Sequence, residues 1–123
     1  MRGRFSTAVA AVVTIGMLSG PARAEASLNE ILRDYDNAKA GEPQRAMIAS
    51  NLAGIELGLG WANSALRAQR MQAALYCPPD RSAMTGSQVI DILRRALKEE
   101  PRLGDRPIGF AVLAALQRAF PCK

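Results

Sequence analysis

Two cysteines constrain this chain more than any other feature. Cys77 stands in Leu75-Tyr76-Cys77-Pro78-Pro79, and Cys122 stands in Phe120-Pro121-Cys122. No other cysteine is available to either. Each has a proline beside it and an aromatic within two residues. Joined, they close a loop of 46 residues (122 − 77 + 1). In the chain-entropy account, a crosslink over such a loop stabilises by about 4 kcal/mol. That is comparable to the whole net stability of a small domain, about 5–15 kcal/mol. The alternative is a pair of buried free thiols, and the cell compartment separates the two.

The N-terminal stretch points to export. Arg2 and Arg4 precede an apolar run from Phe5 to Leu18, which Ser19-Gly20-Pro21 closes. Ala22-Arg23-Ala24 then offers a small-x-small cleavage site, with the cut expected between Ala24 and Glu25. The run falls short of the ~20 residues of a spanning helix, so a cleaved signal is expected over residues 1–24, with no membrane span afterwards. The expected destination is periplasmic or secreted, where a disulfide persists.

What remains, residues 25–123, is one domain of 99 residues (123 − 24). A core of that size is modest, and a covalent staple suits it. The formal charge of +5 loses Arg2, Arg4 and Arg23, leaving 13 basic against 11 acidic residues, or +2. That balance makes no case for nucleic acid.

Helical periodicity runs through the domain. Ser27-Leu28-Asn29-Glu30 fits a capping box, and Leu28, Ile31, Leu32 and Tyr35 follow on one face. Gly41 and Pro43 separate this helix from a long second one, expected from Pro43 to about Tyr76. Ile48, Leu52, Ile55, Leu59, Ala62 and Leu66 form its seam. Gly54, Gly58 and Gly60 interrupt it, each costing about 1 kcal/mol relative to Ala. Ser50, Gly54 and Gly58 share a ridge that another helix can approach closely. A break into two helices at Gly58-Leu59-Gly60 is the rival arrangement. Thr85-Gly86-Ser87-Gln88 opens a third helix with a second capping box, and Val89, Ile90, Leu93, Ala96 and Leu97 face inward. Asp105 and Pro107 are placed to begin a fourth helix, whose inner face is Gly109, Val112, Leu113, Leu116 and Phe120. No stretch alternates as a strand does. The expected fold is all-α: a compact four-helix bundle with one long central helix, stapled by Cys77–Cys122. The staple is expected to bring the C-terminal ends of the second and fourth helices side by side.

Much catalytic chemistry is absent from the sequence. There is no histidine, which removes imidazole as a base or metal ligand. With both cysteines structural, no thiol nucleophile is left. Gly58-Leu59-Gly60 has no preceding strand and is no phosphate loop. The acidic pairs Glu99-Glu100 and Asp34/Asp36 fall on expected solvated faces. An enzyme is not expected, and no catalytic residue, cofactor or metal is assigned. A small binding protein is expected instead.

Several of these residues also carry a resemblance. Trp61-Ala62-Asn63-Ser64, Leu66, Arg67 and Leu75-Tyr76-Cys77-Pro78-Pro79 resemble the middle of the Rap/Tai family, periplasmic immunity proteins of type VI secretion systems. Thr85, Gln88, Val89, Leu93 and Pro101, then Ala115-Leu116 and Phe120-Pro121-Cys122, continue the likeness, which spans about Gly54 to Cys122. The resemblance implies a small all-α fold, often a homodimer, that plugs the active site of a peptidoglycan amidase toxin and has no catalytic activity. Some members carry a further cysteine early in the second helix with a Gly-Tyr pair nearby; here that region holds Gly58, Gly60 and Trp61.

Trp61 is expected to anchor the core with its N–H satisfied. Asn63, a poor mid-helix residue, is expected to bond loop backbone across the fold. Pro78, Pro79, Asp80 and Arg81 form a stiff exposed loop that is either a passive linker or the element an inhibitor inserts. Beside the immunity reading stand two others. One is a periplasmic stress protein similar to the Hde-type acid chaperones, which with no histidine could switch only through carboxylates near pH ~4. The other is a non-catalytic envelope adaptor. Gene neighbourhood and client protection at acid pH discriminate among the three.

Overall fold

A computed structural model of the chain describes residues 25–69, 73–79 and 83–123. The signal segment 1–24, including Ala24, and the loop residues Asp80 and Arg81 lie outside the described residues. The order is α1 (Leu28–Asn37), α2 (Pro43–Ala68), α3 (Gly86–Glu99), a 3-10 turn (Pro101–Asp105) and α4 (Ile108–Ala119). Among the described residues there is no strand beyond a single bridge between Ser27 and Pro107. The all-α, four-helix architecture with its disulfide is as the sequence predicts.

Helices α1 and α3 start where the sequence says they must. Ser27 and Thr85 each accept from the backbone N–H three residues on, while Glu30 and Gln88 reach back to the cap N–H. Helix α1 ends at Asn37, and the chain turns through Gly41 at φ +89°, a left-handed conformation that suits glycine. No basic residue occupies the last turn of α1. Arg45 of α2 fills that role from outside. Its Nη1 donates to the carbonyls of Tyr35 (3.3 Å) and Ala38 (3.0 Å), and its guanidinium lies 4.1 Å from the centre of the Tyr35 ring.

Helix α2 is continuous through Gly58-Leu59-Gly60, so the rival break is excluded. It stops at Ala68, however, not near Tyr76. The signal for a longer helix was apolar spacing, but past Ala68 the backbone groups find partners elsewhere. Leu75 and Tyr76 bond to Asn63, and the Cys77 N–H donates to the Phe120 carbonyl at 2.8 Å. The described return residues 73–79 are therefore non-helical and lie back against α2 at Asn63. The disulfide joins this segment, not the end of α2, to the residues just after α4.

The start of α4 also differs from expectation. Asp105 belongs to the 3-10 turn, and Pro107 is the N-cap. Since Pro107 has no side-chain hydrogen bond to give, the N-terminal residues of the domain supply partners. Glu25 Oε1 accepts from the Gly109 N–H at 2.8 Å, and the Ala26 carbonyl accepts from Ile108 at 2.9 Å.

The core lies where α3 and α4 pack on each other and on the inner faces of α1 and α2. Leu28, Leu52, Ile90, Leu93, Val112 and Leu116 are all fully buried. Gly86 lets the first turn of α3 press on α2: a Cβ there would collide with the Ala49 carbonyl. Arg94 pairs with Asp36, and Arg118 with Glu100 at 3.0 Å, on the surface. Exposed pairs of this kind contribute little, about 0–1 kcal/mol each.

Candidate functional site

Helix α2 supplies two features that the core does not require. On its inner face, two polar side chains are buried, Glu56 and Asn63. Asn63 Oδ1 accepts from the Leu75 N–H at 2.6 Å, and its Nδ2 donates to the Tyr76 carbonyl at 2.7 Å. Asn is a poor helix former because its side chain competes for backbone groups. Here it spends both polar ends on the backbone of another segment. Glu56 Oε2 accepts from the Met84 N–H at 3.2 Å, seven residues beyond Cys77. The Tyr76 phenol is held above its usual pKa, first by burial and then by the Glu56 charge.

These contacts frame the loop that follows Cys77. Upstream it is fixed by Asn63, by the Cys77–Cys122 disulfide (Cα–Cα 5.0 Å) and by the Cys77–Phe120 backbone bond. Downstream it is fixed by Glu56 at Met84 and by the capping box at Thr85. Pro78 is half-buried and Pro79 exposed. A shallow hollow of about 350 Å³ lies beside them, with Met84, Ile92 and Phe120 in its apolar part and Asp91 and Arg95 in its polar part.

The second feature is the outer face of α2. Between Arg45 and Arg67 the sequence has one charged residue, Glu56, and that one is 6% exposed. Between those two arginines the solvent side of this helix is therefore uncharged. Trp61 is 72% exposed, Met47 59% and Leu57 45%. The expectation that Trp61 anchors the core is overturned: position 61 lies about 180° around the helix from Leu52, which is buried. The strip of Ser50, Gly54 and Gly58 also has no partner within the described residues. A Cβ built at Gly54 or Gly58 meets nothing within 4 Å. Beside it runs an apolar groove of about 500 Å³ floored by Ile31, Ile48, Ile55 and Ile108.

Neither feature has catalytic form. The sequence has no histidine, and both cysteines are bonded to each other. Among the described residues no three His, Cys, Asp or Glu side chains converge on a point, and no helix is long and apolar enough to cross a membrane. What is arranged here is surface: a tethered loop on one side and an apolar helix face on the other. The sequence predicts the bond from Asn63 to backbone across the fold but does not single out Glu56. Its signal was present as the lone charge in an otherwise uncharged helix stretch.

Comparison with known proteins is consistent with such a surface. No curated protein and no solved structure matches the chain. A family model described as Rap1a immunity proteins matches residues 27–122, which takes in all four helices, both cysteines and both features of α2. The chain belongs to the Rap1a immunity protein family, and its partner is accordingly a protein toxin.

Proposed function

We propose that this protein is a periplasmic inhibitor that neutralises a peptidoglycan amidase toxin of a type VI secretion system by occluding its active site. The family match and the resemblance in the loop and C-terminal residues support the reading. The observation that carries it is the anchoring of the described residues on either side of Asp80 and Arg81: Leu75 is bonded to Asn63 and Met84 to Glu56 on one helix, and Cys77 is joined to Cys122 of the C-terminal segment. Flanking segments held this way reduce the ordering cost of binding, which suits an inhibitor. The export signal over residues 1–24 would place the inhibitor where such a toxin acts.

A homodimer is the second part of the proposal, with the outer face of α2 as its seam. A two-fold contact brings each patch onto a copy of itself, so a charged patch would repel its own image. Between Arg45 and Arg67 this face has no charge to repel, and Gly54 and Gly58 permit close helix approach.

The test is protection. Cells making the toxin encoded beside this gene in their periplasm should lyse without this protein and survive with it. The purified pair should show inhibition of peptidoglycan hydrolysis that saturates at one equivalent. A protein that binds no neighbouring toxin, or that binds one and leaves its hydrolysis intact, overturns the reading.

A further inference from the structure

We propose that the outer face of α2 pairs with the same face of a second copy in one register: antiparallel, with the two-fold axis beside Gly54. The inference rests on the homodimer half of the reading above and adds which side chains meet.

The face is symmetric about Gly54 in sequence. Met47 stands seven residues before Gly54 and Trp61 seven after it. Ser50 and Gly58 stand four before and four after, and Pro43 and Ala65 continue the pattern at eleven. With 3.6 residues per turn, all six project within about 40° of Gly54 around the helix. All seven positions are exposed. The stripe therefore reads bulky, small, small, small, bulky from either end, at Met47, Ser50, Gly54, Gly58 and Trp61.

A two-fold axis at Gly54 sets each position level with the one equally far beyond Gly54 in the second copy. Trp61 then meets Met47 of the second copy, and Ser50 meets Gly58 of the second copy. An indole packs against a flexible thioether, which adapts to its shape. The three small residues let the backbones close up at the centre. A parallel pair would instead stack Trp61 on Trp61 and place like ends of the helix dipoles together.

Charge agrees with this register. Arg45 stands about 180° around the helix from Gly54 and donates to carbonyls of α1, and Arg67 stands about 140° away. The stripe itself carries no charge from Pro43 to Ala65. Antiparallel pairing also brings Arg67, in the last turn, within one residue of level with Glu42, the N-cap, of the second copy. The apolar groove that Ser50 and Gly54 border widens the surface on offer.

Trp61 is the lone tryptophan, so its fluorescence reports on this face. In the mature wild type its emission should shift to the blue as concentration rises through the dimerisation seen by sedimentation. Trp61→Ala should weaken association by roughly thirtyfold or more, as an aromatic anchor does. Cross-linking reads the register. Ser50→Cys and Gly58→Cys should each fail to link to their own kind, because like positions lie about 12 Å apart along the axis. A disulfide spans Cα atoms at most about 7 Å apart. Mixed and mildly oxidised, the two variants should give a covalent dimer, with peptide masses showing a 50–58 bond and an intact Cys77–Cys122. If Gly58→Cys does not fold, Gly54→Cys, on the axis, should link to itself while Ser50→Cys does not. A dimer whose Trp61 emission stays put, or whose mixture does not link, overturns the proposal and leaves the homodimer standing. Self-linking by Ser50→Cys marks a parallel pair and overturns the register. A wild type that stays monomeric at every concentration overturns the homodimer and this register together. Protection against a toxin enters none of these readouts, so the immunity reading stands or falls separately.

Discussion

Helices α3 and α2 are built on opposite plans. Helix α3 buries Val89, Ile90, Ile92, Leu93 and Ala96 and turns Asp91, Arg95, Lys98 and Glu99 to water. Helix α2 buries Glu56, the one charge between Arg45 and Arg67, and turns Met47, Leu57 and Trp61 outward. The sequence of α3 is what folding alone would choose. A helix apolar on both sides is ordinarily covered on both sides, and among the described residues α2 is covered on one. The difference separates residues kept for the fold from residues kept for contact with something else.

The strongest way to press on this contrast is to cut the disulfide. Replacing both Cys77 and Cys122 by Ser should lower stability by about 4 kcal/mol, read from urea unfolding. The loss should appear first at the return segment, residues 73–79, as faster amide exchange there, because α3 is held by the core and that segment by sulfur and Asn63. Equal loosening of α3 would mean that the two regions are not independent.

A paired truncation separates the faces. Leu93→Ala in α3 removes a fully buried side chain and should cost about 2–5 kcal/mol. Leu57→Ala, on the outer face of α2, should cost less than about 0.5 kcal/mol in the dilute monomer. A large loss at Leu57 under those conditions would show that the outer face is covered even without a partner.

Glycine offers a smaller effect of opposite sign. Gly54 and Gly58 sit inside a helix with open space where a Cβ would go. Alanine at either should stabilise the monomer by up to about 1 kcal/mol, since helix propensity improves and nothing is displaced. If the strip is a helix-packing seam, the same substitutions should weaken self-association, measured by sedimentation. Stabilisation of the monomer with unaltered association would detach the glycines from the seam.

The contrast also explains what the sequence made legible. Periodicity and capping boxes are local, so α1 and α3 could be read with their starts in place, and the two cysteines could be paired because there was no other choice. The end of α2 could not. Ala73 resumes the apolar spacing, yet the backbone at Leu75 and Tyr76 turns to Asn63 instead of continuing the helix. Competition between a helical bond and a side-chain bond thirteen residues away is not visible in spacing. Trp61 misled for a related reason. A large aromatic is buried in most small domains, and only the phase of the helix relative to Leu52 tells that this one is not. The cap of α4 is not legible locally because its acceptor, the Glu25 carboxylate, lies 84 positions away in sequence from Gly109. Asn63 was legible as an oddity, whereas the burial of Glu56 goes with a partner at Met84, 28 positions away, which spacing does not display.

The finest distinction lies between the two capping boxes themselves. In α1 the reaching residue is Glu30, and in α3 it is Gln88. The Ser27 N–H, and after it the Ser27 hydroxyl, hold the Glu30 carboxyl below its ordinary pKa. A depressed folded-state value means that the unfolded chain takes up the proton first. The contribution of Glu30 is therefore complete above the ordinary carboxylate range and is lost as pH falls through the folded-state value. Gln88 makes the corresponding contact with its amide oxygen and has nothing to titrate. Stability measured against Glu30→Gln should show an advantage for the wild type at neutral pH that fades on acidification. Introducing Gln88→Glu should create the same dependence at α3, where the wild type has none. A Glu30→Gln difference that is flat from neutral pH to below the carboxylate range would mean that the reach-back bond to Ser27 contributes nothing to holding α1.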